Sequence, residues 1–176
     1  MPEHDINVMR GEVVEVTLNA LVEQTINTPV SVAESLVMRI KAVASRMEAE
    51  QYVTPAVTAT EVEYGFFTVT LSLRQGQTTL PGLETPGTLY SREIRQGFGE
   101  EATGVLITNP SHEAAMPAYL EFPNPGLTVA TRVLSLYLQR SNGAGVLARA
   151  AFEIMYTLER VSTSALQAAQ SLSETF

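Results

Sequence analysis

Apolar and polar residues alternate with a period of two over much of the last third of the chain. Every second residue is apolar in 134–138 and again in 150–158, and Asn142-Gly143 lies between the two rows. Alternation on both sides of an Asn-Gly pair is a strong signal for a β-hairpin. A slip of one residue would turn each apolar row into water, so the register is well specified. The pattern predicts two long strands within 126–161, paired through a tight turn.

Further β-like segments precede this pair and are separated by Gly and Pro. Residues 11–26 are rich in β-branched side chains and predict one long strand with a bulge near Asn19-Ala20. Pro29 ends it because proline has no backbone donor for the ladder. Other predicted strands cover 61–74, 88–96, 103–108 and 117–122. About eight strands with Gly and Pro turns favour an antiparallel sandwich or barrel.

Residues 31–50 are ambiguous between helix and strand. Ser31-Val32-Ala33-Glu34 matches a capping box, and apolar residues follow it at helical spacing. Residues 36–44 also alternate between apolar and polar positions, as a strand would. Periodicity does not decide between the two, and the local pattern slightly favours helix.

One loop and one helix complete the predicted elements. Two Pro-Gly pairs within 80–88 predict a surface loop, and loops on a rigid sheet often contact partners. After residue 161, Ser162 is a candidate N-cap for a short amphipathic helix. The predicted division is an N-terminal arm at 1–10, a β-sandwich at 11–161 and a C-terminal helix at 162–176.

Composition restricts the chemistry and the partners. The 176 residues predict a single domain that can bury a core without disulfides or metals, and the chain contains no cysteine. The net charge of −8 argues against binding to phosphate backbones, which needs clustered Lys and Arg. No signal peptide is predicted at the first residues, and no run of 18 apolar residues predicts a membrane span.

No group of residues predicts catalysis, a cofactor site or a metal site. His4 and His112 lie far apart and lack carboxylates at ligand spacing, so both are expected to be surface histidines. The adjacent Glu100-Glu101 is expected in a solvated turn rather than as an acid/base pair. The six tyrosines admit a sugar or base platform, although half-burial on a sheet is the expected arrangement. We therefore expect a protein that is not an enzyme, with no catalytic residues, cofactor or metal.

The order of segments resembles the single jelly-roll capsid proteins of tailless icosahedral viruses of bacteria and archaea. The resemblance is carried by 23–29 before an amphipathic strand at 35–44, by 133–138, and by a final strand at 152–162 that leads into a Ser-capped helix. It covers about half the chain and favours a strand at 31–50. It implies an eight-stranded antiparallel β-sandwich with a short C-terminal helix. The implied strands B to I lie at 11–26, 34–47, 61–74, 88–96, 103–108, 117–122, 130–140 and 147–161.

The resemblance implies a structural capsid subunit that self-assembles in the virion into an icosahedral shell. The expected partners are further copies and a second coat protein, with contacts at the arm, at loop 75–88 and at the helix. The arm is not basic, which fits a coat over an internal membrane or protein layer better than direct nucleic-acid binding. The alternatives are a phage tail or neck component with a helix at 31–50, and a β-sandwich module for a carbohydrate or small ligand.

Overall fold

The computed structural model describes residues 5–17, 20–52, 63–100, 106–109, 118–142 and 146–175. Within these ranges there are ten strands and one helix, α1 (Thr163–Thr175). The strands are β1 (Asn7–Val14), β2 (Val22–Asn27), β3 (Leu36–Tyr52), β4 (Glu63–Ser72), β5 (Thr88–Glu100), β6 (Leu106–Asn109), β7 (Ala118–Glu121), β8 (Leu127–Val129), β9 (Val133–Asn142) and β10 (Val146–Arg160).

The strands form two antiparallel sheets. The first sheet has the order β1-β10-β3-β7, with β8 also pairing with β3, and the second has the order β2-β9-β4-β5-β6. β7 and β8 lie end to end along β3, so together they take the place of one strand. The sheets face each other as a sandwich, and α1 packs on the outside of the first sheet.

The pairing is nested in sequence. β1 pairs with β10, β2 with β9, β3 with β7 and β8, and β4 with β5. A long antiparallel ribbon that is rolled up gives this order, which defines the jelly roll. The predicted all-β jelly roll with a C-terminal helix is therefore confirmed, with β6 as an additional strand at one edge.

The core lies between the inner faces of the two sheets. It is built from large aliphatic and aromatic side chains that are 0–1% exposed, such as Phe152 and Ile154 on the first sheet and Phe67 and Leu136 on the second. Gly11 of β1 sits where a Cβ would come within 2.7–2.9 Å of Leu136 and Ile26. A side chain there would push the sheets apart, so the glycine permits their close approach.

The predicted hairpin within 126–161 is wrong. β9 pairs with β2 and β4 in the second sheet, whereas β10 pairs with β1 and β3 in the first. Both strands do alternate, because each has one face on the core. Alternation identifies the buried face and not the hydrogen-bonding partner. Residues 143–145 of the predicted turn lie outside the described residues.

The single strand predicted at 11–26 is also wrong. Two strands, β1 and β2, occupy this region and belong to opposite sheets. β1 begins at Asn7, so residues 7–10 of the predicted arm are paired with β10. Residues 1–4 lie outside the described residues. The strand letters implied by the resemblance are therefore displaced by one here. Residues 34–47, expected as the second strand, fall on the third strand of the roll, and 61–74, expected as the third, fall on the fourth.

Residues 31–50 form a turn followed by a strand. The hydroxyl of Ser31 accepts a hydrogen bond from the amide of Glu34 at 3.3 Å, as in a capping box. The turn ends at Ser35, whose φ of 52° is left-handed. The amide of Leu36 then bonds the carbonyl of Ser31 at 2.8 Å, and β3 begins. The helix-like pattern therefore produces a single turn. The residues after it form a strand, because β3 pairs with β10.

The turn predicted at Glu100-Glu101 needs correction at Glu100, and the strand predicted at 103–108 is described from Leu106, as β6 (Leu106–Asn109). Gly99 and Glu100 are part of β5 and pair with Ile107 and Leu106 of β6. β5 is therefore longer than the 88–96 predicted. Residues 101–105 lie outside the described residues.

Candidate assembly surfaces

Part of the outer face of the second sheet, on β4 and β9, is covered by the chain's own loop 73–87. Thr70 and Ser72 point outward from β4, yet both are 0% exposed. The hydroxyl of Thr70 donates to the carbonyl of Pro81 at 3.1 Å, and that of Ser72 donates to the carbonyl of Gly87 at 3.3 Å. These hydroxyls bond carbonyl groups of the loop and so connect it to the outward side of β4.

Tyr137 and Glu23 hold the first half of this loop. The Tyr137 hydroxyl donates to the carbonyl of Arg74 at 2.9 Å and accepts from the amide of Gln77 at 3.4 Å. The Glu23 carboxylate accepts from the amide of Gly76 at 2.9 Å and from the hydroxyl of Ser135 at 2.6 Å. Polar groups of two neighbouring strands, β2 and β9, thus fix the loop to the sheet.

The pKa of Tyr137 reflects this environment. Burial raises the pKa of the phenol above its usual 10.0, because a phenolate would lose its hydration. The neighbouring negative charge of Glu23 raises this pKa further, and the hydrogen bond from Gln77 opposes the shift. The hydroxyl is therefore kept protonated and able to donate to Arg74.

The tip of the loop carries an exposed large apolar side chain. Gly82–Thr85 forms a turn in which the amide of Thr85 bonds the carbonyl of Gly82 at 2.9 Å. Leu83 at this tip is 70% exposed. The sequence predicted the whole of loop 75–88 as a contact region, and Leu83 is the exposed large apolar side chain within it.

Within the described ranges, the first sheet ends in two edge strands, β1 and β7, that carry exposed apolar side chains. Among the described residues, seven large apolar side chains are exposed. Ile6 (65%) and Val8 (51%) lie at the β1 edge, and Tyr119 (52%) and Leu120 (41%) lie on the β7 edge. Most of these side chains are thus concentrated at the two ends of one sheet. Apolar residues on sheet edges favour association with another chain.

Charged side chains occupy the outer face between those edges. Arg10 on β1 pairs with Glu153 on β10 at 3.0 Å, and Arg149 pairs with Glu12 at 3.8 Å. These pairs border a shallow depression of about 640 Å³ whose floor contains the small residue Ala44. Exposed pairs of this kind contribute little to stability, so this face is an open polar surface.

Helix α1 covers the other end of the first sheet. The hydroxyl of Ser162 accepts from the amide of Ala165 at 3.2 Å, which confirms the predicted N-cap. Leu166 is 2% exposed and packs with Val37 and Ala130. A cleft of about 670 Å³ beside the helix is lined mainly by apolar residues, which include Leu73, Leu89, Leu127, Val161 and Ala169.

A buried ion pair joins the two sheets at one end of the sandwich. The Glu15 carboxylate, which follows β1, accepts from the Arg140 guanidinium of β9 at 2.6 Å, and both side chains are 1% exposed. The Arg140 guanidinium also lies 5.0 Å from the ring centre of Phe67. Sequence reasoning missed this pair. The sequence does contain a signal for it: two of the apolar rows each end in a charged residue, and the two charges have opposite signs. Glu15 continues the row of Val13, and Arg140 continues the row of Leu138.

The candidate residues for chemistry do not come together in the described part of the chain. Tyr90 lies in the core, Tyr137 lies under the loop and Tyr119 lies on the opposite sheet, so these three form no platform. No group of three His, Asp or Glu residues that could hold a metal occurs in the ranges that the structure describes. His4, His112 and Glu101 lie outside those ranges.

Comparisons with known proteins add a similarity to solved structures. No family model and no curated protein matches this chain. Among solved structures, the chain is similar to the VP1 protein of Trichodysplasia spinulosa-associated polyomavirus, with 10% identity and a TM-score of 0.43 over 89% of this chain and 96% of that chain. No helix in the described ranges is long and apolar enough to cross a membrane.

Proposed function

We propose that this protein is a structural capsid subunit that assembles with further copies of itself into the shell of a virion. The observation that carries the proposal is the concentration of exposed apolar side chains at both edges of the first sheet, on β1 and β7. An edge strand offers unpaired backbone groups in addition to its side chains, so a neighbour can bury both at once. A monomer that left both edges in water would be prone to association.

The finer parts of the proposal follow from the resemblance of the sequence. The shell would be icosahedral and would belong to a tailless virus of bacteria or archaea, with a second coat protein as a further partner. The chain would lie over an internal membrane or protein layer without reading a nucleic-acid sequence. The net charge of −8 supports this arrangement, because it disfavours contact with phosphates. The protein would have no enzymatic activity, cofactor or metal.

Modest contacts between many copies would hold such a shell. Each subunit would use the same edges, so the combined strength would come from the number of contacts and not from one tight interface. The other predicted contact regions are the residues before β1, the loop tip at Leu83 and the exposed side of α1.

A test of this function is the mass distribution of the purified protein. Light scattering and negative-stain microscopy over a range of concentration, salt and pH should show closed shells or rings of uniform size. A variant with Val8→Lys and Leu120→Lys should shift the distribution to monomers, because both edges would then carry charge. Leu83→Lys is the matched control at an exposed apolar site away from these edges. Uniform particles that are unaffected by the edge substitutions would contradict the proposal.

The carbohydrate or small-ligand module is the second candidate, and the cleft beside α1 is the feature that favours it. That candidate predicts a monomer and a ligand that contacts Leu127 and Ala169. A glycan and small-molecule screen on the monomeric edge variant would test it. The tail or neck component is the alternative that requires a helix at 31–50. Residues 36–52 form a strand instead.

A further inference from the structure

The two edges of the first sheet run in opposite directions. β1 is antiparallel to β10, β10 is antiparallel to β3, and β3 is antiparallel to β7. β1 is therefore antiparallel to β7 across the sheet. If a second copy is placed beside the first without being turned over, its β1 meets the first copy's β7 in antiparallel orientation. Antiparallel pairing can then continue from one subunit to the next.

The residues of the two edge strands also occupy the same rows of paired residues across the sheet. Met9 is level with Ile154, Val43 and Leu120 along one row of partners. Val8 is level with Glu121 in the next row, through Met155 and Ala42. The four residues of β7 therefore face the same rows as 8–11 of β1. A neighbour can dock without any shift along the strand direction.

Charge and side-chain type favour joining the unlike edges. Within the rows that β1 and β7 share, the exposed charges are Arg10 on β1 and Glu121 on β7, while Glu12 lies further along β1. With no shift, the Glu121 carboxylate lies diagonal to Arg10 and Leu120 lies opposite Met9, and both are favourable cross-strand neighbours.

We propose that β1 of one copy pairs with β7 of the next copy, so that the first sheet continues across the subunit boundary. This inference rests on the proposed function and names the contact that builds the assembly. A head-to-tail contact between unlike surfaces closes into a ring when the rotation between copies allows it. Each subunit then uses both edges, and every exposed apolar side chain on β1 and β7 is covered.

Engineered disulfides test this contact, because the chain contains no cysteine of its own. Directly opposed residues on antiparallel strands lie within the distance that a disulfide spans. We would combine Val8→Cys with Glu121→Cys for the register without shift, and Val8→Cys with Tyr119→Cys for a shift of two residues. Val8→Cys with Leu83→Cys is the matched control. Circular dichroism of each reduced variant checks that it folds.

Mild oxidation at concentrations where particles form should give a ladder of covalent oligomers for one of the two test pairs. A mixture of the two single variants should give only a dimer that contains one of each. Covalent dimers of Val8→Cys alone would overturn the inference, since they show that like edges meet. Particles without any link in either test pair would overturn it while leaving the proposed function intact. Absence of particles in the unmodified protein would instead contradict the proposed function, and the inference with it.

Discussion

The outer faces of the two sheets differ in how far the chain itself covers them. On the second sheet, loop 73–87 covers the outward residues Thr70, Ser72 and Tyr137, all of which are 0% exposed. On the first sheet, the middle is open and charged, and Tyr119 at its edge is 52% exposed. One face is thus completed within the subunit, while the other offers its edges to a neighbour. An outward position on a strand therefore does not by itself indicate a contact surface.

The largest expected difference concerns ion pairs. Arg140→Ala should lower the free energy of unfolding by about 3–5 kcal/mol, because it leaves the Glu15 carboxylate buried without its cation. Arg10→Ala on the open face should cost at most about 1 kcal/mol, since that pair is 78% and 39% exposed. Denaturant titration measures both. The double variant Glu15→Leu, Arg140→Met should recover much of the loss, and equal effects of the two single variants would contradict the assignment of buried and open regions.

The two tyrosines give the most direct comparison of the faces. Tyr137→Ala should lower the free energy of unfolding by about 3–5 kcal/mol, as for other buried aromatic residues. Tyr119→Ala should change it by no more than about 0.5 kcal/mol in the monomer. Urea unfolding of both variants at a concentration where no particles form is the measurement. A large loss for Tyr119→Ala would show that the β7 edge is already buried within one subunit.

The attachment of the loop depends on Glu23. Glu23→Gln should cost about 1.5 kcal/mol, the low end for hydrogen bonds to a charged group, because this residue is half-exposed. The loop should also become cut more readily by proteases within 73–87. Glu93→Gln, at an exposed position of the same sheet, is the control and should change neither property. Unchanged cleavage in Glu23→Gln would mean that the other contacts of the loop hold it without the Glu23 carboxylate.

The smallest expected effect is a pH dependence at Tyr137. Its pKa is raised in the folded state, so the unfolded chain loses this proton first as the pH rises past 10.0. The associated stability is complete below pH 10.0 and is lost as the pH rises through the folded-state pKa. Tyr137→Phe should remove this loss, and Tyr119→Phe should leave it in place. Unfolding titrations from pH 8 to pH 11 measure the difference, and an identical slope in Tyr137→Phe would refute it.

Much of the fold could be predicted from the sequence, because one-sided burial leaves a period of two. The rows of Leu134 and Phe152 identified real strands and their buried faces. The pairing could not be predicted in the same way, since the partners of β9 and β10 lie far away in sequence. Consecutive strands that alternate are compatible with a hairpin and also with a crossing between sheets. The chain takes the crossing because the roll nests β1 with β10 and β2 with β9.

The candidate surfaces were less accessible to sequence reasoning. The loop could be located from its Pro-Gly pairs, but its position over Thr70 and Tyr137 depends on tertiary contacts with hydroxyl groups. Those hydroxyl groups lie at outward positions of the strands. Polar residues are usual at such positions, so the sequence does not indicate that a loop covers them. Similarly, Val8 and Tyr119 belong to strands that are far apart in sequence. Only the strand order of the sheet shows that these strands are its two edges.

Hydrogen–deuterium exchange of the monomer and of the assembled particles tests the central contrast between the faces most directly. The amides of β1 (7–14) and β7 (118–121) should gain protection on assembly, because edge amides find partners in a neighbouring copy. The amides of 74–82 should keep the same exchange in both states, because the loop is already held by its own sheet. Protection that appears in the loop while β1 and β7 remain unchanged would contradict the account.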